Sequence, residues 1–160
     1  MSKSKIILGI LIIIWMGTVF FFSNQPSIKS SNTSKGVIEK ITNRIPNMNN
    51  ATNAEKEGLI EELQTPVRKL AHFSLYTVGG ILILLYLNQF NLTEKRKIIY
   101  SFIIGVVYAT TDEIHQLFVI GRSCELRDVC IDSLGIVFGI GIAICIIKLI
   151  RRKSSEKGFN

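Results

Sequence analysis

Charge is missing from long stretches of this chain, and that absence decides more than any residue present. Ile6 to Phe22 runs 17 residues without a charged side chain, Leu70 to Leu87 holds only His72, Ile98 to Thr111 holds none, and Ile131 to Ile147 holds only Asp132. A soluble helical bundle would need a polar face on each of its helices, and the first and last of these blocks have none. Cysteine is scarce too. Cys124, Cys130 and Cys145 are odd in number and allow at most one disulfide, Cys124 to Cys130, if the loop between them turns tightly; buried or interfacial thiols are the expectation. Neither an HExxH motif nor a paired-cysteine spacing occurs, and no Cys–His pairing fit for nucleophilic catalysis can be read from the chain.

A membrane-crossing helix needs about 20 mostly apolar residues, and each block reaches that length once its flanks are included. The expectation is an all-α polytopic membrane protein, one domain over 1–160 built as a four-transmembrane-helix bundle. Its spans are expected at about 6–22, 68–87, 98–116 and 129–150, with an external amphipathic-helical loop at 23–65 and a tail at 151–160. Lys3, Lys5, Lys95, Arg96, Lys97, Lys148, Arg151, Arg152, Lys153 and Lys157 fall in three short segments on one side, and they are ten of the 19 basic residues. Only Glu94 and Glu156 accompany them, so that side is strongly positive and is expected in the cytoplasm together with both termini. The net charge of +7 then reads as topology and affinity for anionic membrane lipids, not as a nucleic-acid footprint. The first helix starts basic like a signal peptide, but its apolar middle is long and Phe22-Ser23-Asn24-Gln25 lacks a small-x-small cleavage pattern, so an uncleaved anchor is expected.

Two short amphipathic helices are expected in the 23–65 loop: Val37, Ile38, Ile41 and Ile45 after a Ser34 cap, and Leu59, Ile60 and Leu63 after Thr52 and Asn53, with Ile45 to Asn53 aperiodic. Thr65 and Pro66 then read as the cap and first residue of the second span.

The remaining polar groups gather at one level. At about 100° per residue, Lys69, His72, Tyr76 and Gly80 share a face of the second span. Gly105, Tyr108, Asp112 and Gln116 share one of the third, with His115 at its edge and Glu113 turned about 100° from Asp112. Asp112 and Glu113 are therefore expected to meet different basic groups, drawn from Lys69, Arg122 and Arg127. On the fourth span Asp128 and Asp132 are followed in register by Gly135 and Gly139, a small-xxx-small surface for close helix contact. Ionisable residues beside hydrocarbon are functional candidates. A pore or proton relay would carry polar groups through the full depth, whereas these stop in the outer half, so the pattern points to a pocket opening outward.

The combined pattern Arg68-Lys69-x-x-His72-x-x-x-Tyr76, Asp112-Glu113-x-x-Gln116-x-Phe118-x-x-x-Arg122 and Arg127-Asp128-x-x-x-Asp132-x-x-Gly135 resembles the VanZ-like family of small bacterial membrane proteins. Ser23-Asn24-Gln25-Pro26, with Ser30 and Ser34, is similar to that family's entry, so the resemblance covers nearly the whole chain. Two positions depart from it: Asp132 stands where Asn is more usual, and Ile120 where Pro is common. The resemblance implies a cell-envelope protein, and the family's namesake lowers susceptibility to the lipoglycopeptide teicoplanin.

Several chemistries suit the cluster. An enzyme acting on a lipid or peptidoglycan precursor would hold phosphate or carboxylate with Lys69 and Arg122 and use His72, Asp112 or Glu113 as acid and base. A binding module would grip an anionic lipid, a peptidoglycan precursor or a lipoglycopeptide with Lys69, Tyr76, Gln116, Arg122, Arg127, Asp128 and Asp132. A third reading is a buried ion-pair network that only fixes the packing. His72, Asp112, His115, Asp128 and Asp132 have ligand chemistry, and Asp112 with His115 could share an ion, but Arg122 and Arg127 oppose a cation; neither metal nor cofactor is expected.

Overall fold

Five helices follow one another in the computed structural model, which describes residues 3–42 and 53–157: α1 (Lys3–Ser23), α2 (Ser27–Thr42), α3 (Asn53–Leu87), α4 (Glu94–Gln116) and α5 (Leu126–Lys157). No strand occurs among the described residues, so the protein is all-α. Three helices are long and apolar enough to cross a membrane: α1, α3 and α5, with mean hydropathies of 2.5, 1.8 and 2.5 over their most apolar stretches. α4 is 23 residues long but is not among them. It begins with Glu94, Lys95, Arg96 and Lys97 and ends with Asp112 and Glu113, and these dilute its apolar middle. The fourth crossing expected from the sequence is therefore not established by length and composition.

The apolar surface fits a hydrocarbon solvent. Ile7, Ile13, Ile14 and Phe21 on α1 and Leu134, Val137, Phe138 and Leu149 on α5 are exposed. Rows of large apolar side chains on long helices are unfavourable in water and are what a lipid-facing helix requires.

The segment between the first and second apolar blocks departs most from expectation. α2 begins at Ser27, not after Ser34, and Ser34 sits within it, its hydroxyl donating to the Ser30 carbonyl at 3.2 Å. Thr65 and Pro66 do not start a helix: α3 runs unbroken from Asn53 through Pro66 to Leu87. Proline removes one backbone donor from a helix, which breaks the ladder only locally. A sequence reading treats that loss as a boundary, whereas here helix on both sides carries through. Val37 and Ile41 of the expected stripe are exposed and Ile38 is buried. Residues 45–52, expected to lack periodicity, lie outside the described residues.

α3 and α5 form the central pair. Three glycines let their backbones meet: a Cβ on Gly139 would collide with the Thr77 carbonyl, one on Gly135 with that of Phe73, and one on Gly80 with that of Ile136. Around this seam lie Trp15, Val19, Tyr76, Ile83, Leu84, Ala109, Ile136, Ile140 and Ala143, all buried. Trp15 fills the space beside Gly79 and donates its indole N–H to the Leu75 carbonyl at 2.8 Å, tying α1 to α3. Beyond the core, at the end where α4 begins, Lys97 is buried and donates to Asn88 at 3.0 Å, while Glu94 meets Arg151 at 3.0 Å. The hydrogen bond from Arg151 holds the Glu94 carboxyl below its ordinary value.

Candidate functional site

The opposite end of the bundle, where α1 and α4 finish and α5 begins, is polar inside. α4 turns off at Gln116, and the chain reverses through Gly121, whose φ of 75° favours glycine. The Ser27 N–H donates to the Ile120 carbonyl at 3.2 Å, so the start of α2 is fastened to this turn. The reversal brings Arg122 back over the helix ends. Its Nε donates to the Gln25 carbonyl at 3.1 Å, one terminal nitrogen to Gln116 Oε1 at 3.1 Å and the other to the Phe22 carbonyl at 3.4 Å. Burial, and after it the neighbouring Arg68, lower the Arg122 guanidinium from its ordinary value.

Beneath that arginine, Asp112, Glu113, Gln116 and Asp132 are all buried. Asp112 Oδ2 accepts from Ser23 at 2.7 Å and from Tyr76 and Gln116 at 3.3 Å each. Glu113 accepts from Gln116 at 3.2 Å and from the Glu125 backbone N–H at 2.8 Å. Neither carboxylate pairs with Lys69, Arg122 or Arg127, contrary to expectation. Neutral donors reach them first, and Lys69 is taken up by Asp128, with Glu125 at 3.7 Å. His72 Nδ1 lies 3.8 Å from Asp132 Oδ1.

Two expected members stand apart. Arg127 is exposed on α5 and joins none of these contacts. His115 stacks on Phe20 with ring centroids 4.6 Å apart, and so does not share a ligand position with Asp112. The three cysteines are free and exposed, neither buried nor bonded to one another.

Beside the cluster is a cavity of about 450 Å³ between the end of α1, α2 and α3. Arg68, Arg122, His72, Gln25 and Ser34 supply its polar groups, and Phe22, Leu75 and Val78 its apolar wall. A smaller recess continues inward between Lys69, His72, Glu113, Gln116 and Asp132. Arg68, which lines the cavity, and Ser23, which donates to Asp112, are positions that the sequence reading did not name as site residues. Arg68 lies about 100° from Lys69, off the face on which the polar residues align, and Ser23 looks like the trailing end of an apolar run. Their places in the family-like pattern are the signal that could have found them.

A helical membrane protein with a hydrogen-bonded polar end and a cavity walled by two arginines is the class that fold and geometry define. The family model described as VanZ/LLP1 matches residues 8–149, from the first turns of α1 to the last apolar turn of α5, and the chain belongs to that family. No curated protein and no solved structure matches it.

Proposed function

We propose that the polar end faces out of the cell and that the cavity binds an anionic component of the envelope, a lipid head group or a peptidoglycan precursor, thereby lowering susceptibility to lipoglycopeptides such as teicoplanin. The observation that carries this reading is the shared lining of the cavity by Arg68 and Arg122 above an apolar wall of Phe22, Leu75 and Val78. Two guanidiniums offer planar forks for phosphate or carboxylate, and the apolar wall suits the chain of an amphiphile. Arg122 has no carboxylate within ion-pair distance among the described residues, and its bonds go to two carbonyls and an amide. Its charge is left for a ligand.

A catalytic reading rests on His72, which reaches both the cavity and the recess and lies beside Asp132. Of the other acid–base candidates, Asp112 and Glu113 are occupied by donors, which leaves His72 as the proton carrier of such a reaction.

Arg122→Lys tests the binding reading. If Arg122 grips an anion through two parallel hydrogen bonds, lysine at normal abundance and thermal stability in detergent removes the resistance phenotype. A stable and fully active Arg122→Lys sinks the reading. Lipid and precursor profiles of cells with and without the protein separate the two chemistries, since a new or missing species requires bond making or breaking and an unchanged profile does not.

A further inference from the structure

Asp132 is 1% exposed, and neither of its carboxylate oxygens has a hydrogen-bond partner. Burying a carboxylate without a partner is costly, so a group of this kind calls for a proton or a counter-charge. The nearby donors are committed elsewhere. Lys69 is bound by Asp128, Tyr76 and Ser23 donate to Asp112, and Gln116 is shared between Asp112 and Glu113. His72 Nδ1, at 3.8 Å, is too far for a hydrogen bond.

Asp112 has a complementary feature. All three of its donors land on Oδ2, and no described donor reaches Oδ1. His72, Asp112 and Asp132 each offer one ligand atom, a ring nitrogen and two carboxylate oxygens, and the three atoms lie within 4.8 Å of one another. Ligands held at about 2.1 Å in a tetrahedral shell are roughly 3.4 Å apart, so side-chain rotations of about an ångström would close the site.

We propose that His72, Asp112 and Asp132 hold a divalent cation. Two carboxylates balance its charge, and Ser23, Tyr76 and Gln116 orient Asp112 as outer-shell partners do in metal sites. The imidazole shifts preference from the all-oxygen ions Mg²⁺ and Ca²⁺ to Mn²⁺ or Zn²⁺. Of the cations that would oppose it, Arg127 is exposed and Lys69 is paired with Asp128, while Arg68 and Arg122, which line the adjoining recess, are the positive charges that the two carboxylates outweigh. The site goes beyond the anion reading and does not rest on it.

The full-length protein in detergent, stripped with a chelator and dialysed against Mn²⁺ or Zn²⁺, is expected to retain one equivalent per chain of at least one of them and to melt at a higher temperature. Asp132→Asn, which keeps the size and removes the charge, is expected to weaken that binding by more than about tenfold. Pulsed electron paramagnetic resonance of bound Mn²⁺ is expected to show nitrogen coupling that His72→Gln removes and His115→Gln keeps. Absence of stoichiometric Mn²⁺ and Zn²⁺ in the wild type overturns the proposal, as does equal binding by Asp132→Asn. If Asp132→Asn fails to fold, the nitrogen coupling decides, and its persistence in His72→Gln is the overturning result.

Discussion

Ser23 illustrates how single side chains hold the polar end. Its hydroxyl is fully buried and donates to Asp112 at 2.7 Å, the shortest of that carboxylate's three hydrogen bonds. Ser23→Ala leaves the buried carboxylate short of a donor, and is expected to cost about 1–3 kcal/mol, read as a lower melting temperature in detergent at unchanged expression. The composition of this cluster was legible in the sequence, because ionisable residues stand out against apolar blocks and three helical faces bring them to one level. Its pairings were not. Helical phase says which way Asp112 and Glu113 point, but not that Ser23, Tyr76 and Gln116 reach Asp112 ahead of any cation, because that depends on how far each helix is slid along its neighbour.

At the scale of elements, the α3–α5 seam depends on missing side chains. A branched residue at Gly139 would drive into the Thr77 carbonyl. Gly139→Val is expected to destabilise by about 1–3 kcal/mol or to force the helices apart, with loss of Tyr76 from its buried position and of function. Gly141, two residues further along α5, has open space where a methyl group would stand. Gly141→Ala is expected to be neutral or to stabilise by about 0.5–1 kcal/mol, so thermal melts of the two variants separate contact from composition. The Glu94–Arg151 pair at the other end joins exposed partners. Since its carboxyl is held low, its contribution is present above the ordinary glutamate range and disappears as pH falls through the lowered value. Acidification is expected to move the wild-type melting temperature slightly more than that of Glu94→Gln. The Gly135 and Gly139 stripe was legible because four-residue spacing of small residues reads directly as a close contact. The break expected at Thr65 and Pro66 was not real, because a local rule about a missing donor cannot see the helix continuing beyond it.

For the whole molecule, the number of crossings turns on α4. If α4 spans the bilayer, its two ends lie on opposite sides, and the chain can be interrogated at both. In a background of Cys130→Ser and Cys145→Ser, the exposed Cys124 is expected to react with an impermeant thiol reagent added to intact cells, whereas a cysteine replacing Lys95 in a chain also lacking Cys124 is not. Equal labelling at the two positions denies the fourth crossing, and reversed labelling inverts the orientation. The length of α3 adds a mechanical consequence. Thirty-five residues at 1.5 Å each make a rod of about 52 Å, against a hydrocarbon layer of about 30 Å. Lys69, His72 and Tyr76 sit along its middle, and the stretch ahead of Pro66 is an arm extending from the part of α3 that shares the cavity with α2. Helix continues on both sides of Pro66, so a load on the arm reaches the arginine-walled cavity through that single joint, where the ring has removed one ladder hydrogen bond.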